Sequence, residues 1–150
     1  MNFEDFSANQ QLTLVNLLYD FTTSVSLADG VATEEETKTS AMLKFIDHSS
    51  EILNGVLSLT KEMQGKINFE YIAINASTIR SESREILRLL PEEDLQKFYT
   101  SLLVMAYQIA KSDDNVTAQE AGLVCDYMEE IGYSNRNLMD CNTCFNSSST

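Results

Sequence analysis

Residues 90–110 read LPEEDLQKFYTSLLVMAYQIA, and the reading of that stretch decides the fold class. Leu95, Phe98, Leu102, Met105 and Ile109 recur at steps of three and four. That spacing sets side chains on one helix face, where they can bury together, whereas a half-buried strand would need strict alternation. Leu90-Pro91 followed by Glu92, Glu93 and Asp94 is a helix start. Proline's missing N–H is harmless in a first turn, and acids there meet the positive end of the macrodipole. The pattern predicts a helix over 92–111.

The same spacing recurs on both sides of this stretch. Leu14, Leu18, Phe21 and Val25 form one stripe, Ile52, Val56, Leu59 and Met63 a second, and Val124, Met128 and Ile131 a third. Gly132 after Glu129-Glu130-Ile131 predicts a C-terminal cap, and Ser134 the start of a last turn through Met139. The predicted helices lie near 8–27, 33–47, 49–64, 67–80, 83–89, 92–111 and 117–131. Within 67–89 the polar runs Asn75-Ala76-Ser77-Thr78 and Ser81-Glu82-Ser83 are places for a break. No segment alternates as a strand would, and one Pro with five Gly is too little turn chemistry for an all-β fold. The expectation is an all-α bundle of about seven helices, a helical domain over 1–138 and a flexible polar tail over 139–150.

Composition narrows the function classes. At 150 residues with 43% apolar content, the chain can bury a core without staples. A formal net charge of −13 repels nucleic acid and anionic lipid heads, and favours cations, basic protein surfaces or nothing specific; on charge by itself, solubility alone is the preferred reading. The first residues, MNFEDFSANQQ, lack the positive start and apolar run of a secretory signal. No run nears the roughly 18 apolar residues of a membrane span. Three cysteines, an odd count, fit a reducing compartment better than a disulfide scaffold. A cytoplasmic protein with protein partners, no nucleic acid and no membrane insertion is expected.

One local pattern occurs twice. Asp29-Gly30-Val31-Ala32-Thr33-Glu34-Glu35-Glu36 aligns without gaps on Asp113-Asp114-Asn115-Val116-Thr117-Ala118-Gln119-Glu120. An apolar-faced helix precedes each copy and another follows, so two helical hairpins could pack about a pseudo-twofold axis. Asp29-Gly30 is a turn dipeptide, and Asp114 and Asn115 tolerate the left-handed region in the second copy. Thr33 to Glu36 and Thr117 to Glu120 have capping-box spacing, worth on the order of 1 kcal/mol.

These stretches, with Ser26-Leu27-Ala28 before the first, Ile109-Ala110-Lys111-Ser112 before the second, and Cys125 through Ile131-Gly132-Tyr133-Ser134 after it, resemble the TerB family of tellurite-resistance proteins. The resemblance extends over most of residues 10–135. It implies a helical bundle of two related halves, acids clustered at the Asp turns, a link to tellurite and stress resistance, divalent-metal binding, and membership of membrane-associated complexes. Where the family repeats Asp-Gly, this chain has Asp113-Asp114, which adds a carboxylate and removes the permissive Gly.

The candidate metal ligands are therefore Asp29, Glu36, Asp113, Asp114 and Glu120, for Ca²⁺, Mg²⁺ or Mn²⁺. One turn offers few of the six to eight oxygens that Ca²⁺ takes, so a good site needs both turns together. The EF-hand pattern fails, since its twelfth position falls on Ser40 or Val124. The structural alternative is capping alone, with Glu34 and Glu35 answering the helix dipole. Cys141-Asn142-Thr143-Cys144 is half a zinc site, with only Cys125 and His48 as further ligands, and reads as two tail thiols. His48 is the sole histidine, and Gly65-Lys66 lacks the rest of a phosphate loop. No enzyme is expected. Two functions stand: a metal- or stress-linked acidic module, or an interaction domain whose acidic face docks a basic or membrane-associated partner.

Overall fold

A computed structural model describes residues 1–27, 50–110 and 118–133. Among them lie a 3-10 turn at Phe3–Asp5 and six helices: α1 Ala8–Leu27, α2 Glu51–Glu62, α3 Phe69–Ile74, α4 Ala76–Leu87, α5 Glu92–Ala110 and α6 Ala118–Glu130. No strand occurs among the described residues, so the all-helical expectation holds. The helix expected over 33–47, the last turn from Ser134 and the tail at 139–150 fall outside them.

Helix α1 is the axle of the bundle. It packs against each of the other five helices. Its middle is consequently buried almost all round: Leu14, Val15, Leu17, Leu18, Tyr19, Asp20, Phe21 and Thr22 are all inaccessible. A helix enclosed on every side needs apolar residues on every side, not on one stripe. The side chains closed around it include Ile52 and Leu53 of α2, Leu87 of α4, Phe98 and Leu102 of α5, and Val124 and Met128 of α6. Buried hydroxyls turn back on the helix itself, Thr22 Oγ1 to the Leu18 carbonyl at 2.9 Å and Thr60 Oγ1 to that of Val56 at 2.7 Å.

Caps set most boundaries. Ser50 opens α2 by accepting from the Leu53 N–H at 3.1 Å, and the Pro91 carbonyl takes the first α5 bond from Leu95 at 2.9 Å. Gly132, at φ +110°, closes α6: its N–H donates to Glu129 and that of Tyr133 to Met128, the two bonds of a Schellman cap. Gly55 serves a different purpose. A Cβ there would stand 2.5 Å from Phe3, so its bare backbone lets the buried Phe3 ring seat the 3-10 turn on α2.

The expected helices 67–80 and 83–89 require correction. The chain breaks once, at Asn75, whose N–H and side-chain amide both donate to the Tyr71 carbonyl at 2.9 Å and end α3. Helix α4 then runs straight through Ser81-Glu82-Ser83. Ile79, Ser83, Ile86 and Leu87 form its buried stripe, so Ser83 occupies a core position and not a loop.

Candidate functional site

Asp29, Glu36, Asp113 and Asp114 lie outside the described residues, as do His48, Cys141 and Cys144. Glu120 falls on α6 at its third described residue, and its side chain is outside them too. Cys125 is buried on α6. Among the described residues, no group of three or more His, Cys, Asp or Glu side chains is placed to hold a metal ion. None of the described helices is long and apolar enough to cross a membrane.

The structure instead shows a polar cluster where α1, α4 and α6 meet. Asp20, buried at 5% exposure, receives Arg80 Nε at 2.8 Å and the Tyr127 hydroxyl at 2.5 Å. Arg80 Nη1 reaches Glu130 at 3.1 Å, and Nη2 reaches Ser24 Oγ at 3.4 Å. The guanidinium carbon stands 4.7 Å from the centre of the Tyr127 ring, whose other neighbour is Phe21, edge-on at 4.9 Å. Burial, the Asp20 charge and the bond to Asp20 push the Tyr127 hydroxyl well above its ordinary range, against the opposing pull of Arg80. For Arg80, burial disfavours the charge, but the bond to Asp20 and the Asp20, Tyr127 and Glu130 charges outweigh it, and its pKa rises.

Every guanidinium nitrogen is thus engaged. A pocket of about 150 Å³ beside it is bounded by Ser24, Asp126 and Glu130. The cluster clamps three helices, with Asp20 and Tyr127 buried at its centre and Glu130 at its exposed rim. Sequence reading missed it, although a signal was present: Asp20 is the sole charged residue of the 20-residue α1. A lone charge inside an enclosed helix must find a partner.

The open chemistry lies elsewhere. A groove of about 520 Å³ runs between α1 and α3, with Leu12, Met63, Ile67 and Tyr71 as its apolar lining. Asn9, Thr13, Asn16 and Asn68 bring amides and a hydroxyl to it, and Lys66 and Glu82 one charge of each sign. Asn68 also caps α3, its Oδ1 accepting from the Tyr71 N–H at 2.9 Å. Three of the six α3 residues are large apolar side chains more than half exposed: Phe69 at 54%, Tyr71 at 51% and Ile74 at 74%. Phe69 keeps one edge on Tyr19, 5.4 Å between ring centres.

A second cleft, of about 400 Å³, lies over Gly55 between the 3-10 turn and α2, edged by Glu4, Glu51 and Glu62. Compared with protein-family models, curated proteins and solved structures, the chain matches none.

Proposed function

We propose that this chain is a non-enzymatic interaction module whose acidic surface docks a basic protein partner. The observation that carries the reading is α3: a six-residue helix presenting Phe69, Tyr71 and Ile74 to solvent on a chain of net charge −13. Clustered exposed apolar side chains rimmed by polar ones mark interaction surfaces, and the field of an acidic chain speeds encounter with basic ones. Calorimetric titration with a Lys- and Leu-bearing amphipathic peptide tests the reading, with a Glu-for-Lys version as control. Saturable binding of the basic peptide, weakening from about 50 to 200 mM salt as the field is screened, is expected. Equal binding of both peptides, or of neither, overturns it.

The repeat favours a second reading, in which the two Asp turns bind a divalent cation as the TerB resemblance implies. Its support is that a helix precedes each copy, α1 ending at Leu27 and α5 at Ala110, and that α6 follows the second from Ala118. Saturable binding of Ca²⁺, Mg²⁺ or Mn²⁺ that weakens in the Asp29→Ala, Asp113→Ala double variant is the expected result. Flat titrations at millimolar metal end this reading.

A further inference from the structure

We infer that the groove between α1 and α3 is the docking point for a basic peptide segment carrying one large apolar anchor side chain. The inference rests on the interaction reading above and names its site and ligand class.

The lining divides by chemistry. Leu12, Met63, Ile67 and Tyr71 supply an apolar bed, and Leu12 and Tyr71 keep 39% and 51% of their surface in water. A volume of about 520 Å³ lies within the general range of ligand pockets and leaves room for one aromatic or branched side chain. Burying an anchor there removes apolar surface of both partners from water, the dominant favourable term in most associations. Asn9 and Asn16 stand along the groove on α1. Side-chain amides both donate and accept, which suits the N–H and C=O groups on either side of an anchor.

Charge selects the partner's sign. Glu82 lines the groove, and exposed Glu70 sits between Phe69 and Tyr71. Within the lining itself Lys66 and Glu82 cancel, so the sign preference comes from the field of the chain as a whole, which carries −13. A basic segment is drawn in by that field and an acidic one repelled.

The test is a titration of the full chain, followed by backbone amide NMR shifts, with a short Lys-rich peptide bearing one central Phe. The same peptide with Ala for Phe, and with Glu for Lys, serve as comparisons. Shifts centred on Leu12, Asn16, Ile67 and Tyr71 are expected, with affinity falling about tenfold or more on losing the Phe. The uncharged double variant Leu12→Ser, Tyr71→Ser should lose about tenfold as well, while Leu89→Ser and Val104→Ser, exposed apolar positions elsewhere, should change it less than about twofold. Circular dichroism of each variant separates lost binding from lost folding, and Ile67→Ser repeats the test should the double variant unfold.

If the basic peptide binds but its shifts lie elsewhere, or the groove variants bind as before, the site is wrong while the interaction reading stands. If neither charge version binds, both fail. Equal binding of the acidic peptide removes the charge argument. Concentration-dependent self-association by sedimentation, abolished in the groove variant, would make a second copy the occupant and overturn the proposal.

Discussion

The seam joining α1, α4 and α6 and the groove between α1 and α3 share one helix and treat their odd residues in opposite ways. At the seam, groups that prefer water are enclosed, and Asp20, Arg80 and Tyr127 satisfy one another. At the groove, groups that avoid water are left out, with Leu12 and Tyr71 exposed. A buried polar network with its bonds made specifies a packing and has nothing left to offer a ligand. An apolar surface without a cover has contacts still to make. The seam should therefore govern stability and the groove binding, and each can be altered without the other.

Asp20→Ala should have the largest effect. It leaves Arg80 under-paired in a partly buried site and strips the Tyr127 hydroxyl of its main acceptor. Removing one partner of a buried pair typically destabilises by about 3–5 kcal/mol; with Arg80 24% exposed and still held by Glu130, about 3 kcal/mol is expected. Urea denaturation should show it, together with unchanged affinity for the basic peptide. A loss under 1 kcal/mol, or binding lost while the variant stays folded, would erase the division between the two regions.

Alkaline pH should weaken the α6 packing next. Burial pushes the Tyr99 hydroxyl up to about 12, although Arg84 and Arg88 pull it down, and this hydroxyl donates to the Ile131 carbonyl at 3.0 Å beside the Gly132 cap. An unfolded chain ionises Tyr near 10. Between pH 10 and about 12 the unfolded state therefore gives up its proton first, and stability falls as pH rises. Two pKa units correspond to about 3 kcal/mol, full below pH 10 and gone above about 12. Tyr127, raised further, extends the loss beyond that window. Urea midpoints at pH 9 and 11.5 measure the fall, and Tyr99→Phe should flatten it. A slope unchanged in that variant would assign the alkaline loss elsewhere.

Ser83→Ala should raise stability by about 1 kcal/mol. Its hydroxyl is wholly buried on α4 and has no hydrogen-bond partner among the described residues, as is also true of Ser101 on α5. Deleting an unsatisfied buried polar atom removes its desolvation penalty and leaves almost no cavity. A destabilised Ser83→Ala variant would mean that the hydroxyl is hydrogen-bonded after all, and that the α1–α4 contact resembles the Asp20 seam.

These positions also explain what the sequence could and could not reveal. The stripe Leu95–Phe98–Leu102–Met105–Ile109 and the Gly132 cap are local signals, and α5 and α6 lie within a residue of where they were expected. Ser83 misled because its hydroxyl suggests a turn, while its place beside Ile79, Ile86 and Leu87 is set by a tertiary contact. The clamp was hidden for a similar reason: Asp20 and Arg80 are 60 positions apart and Asp20 and Tyr127 107 apart, so no spacing rule links them. The exposure of Phe69, Tyr71 and Ile74 on α3 leaves no mark in the sequence, because six residues are less than two turns and fix no buried face. The Asp turns, conspicuous in sequence, fall outside the described residues, and their reading still rests on the repeat.

The smallest expected effect is the sharpest test of the division. Ile74, 74% exposed near the end of α3, gives the fold little buried area to lose. Ile74→Ser should change stability by no more than about 0.5 kcal/mol, as surface substitutions away from special features do. If α3 instead holds the bundle together through Ile74, the variant would lose about 1 kcal/mol or more in urea denaturation. Its exposed face would then belong to the protein's own packing, and α3, which supplies Tyr71 to the groove, would share the seam's role in stability.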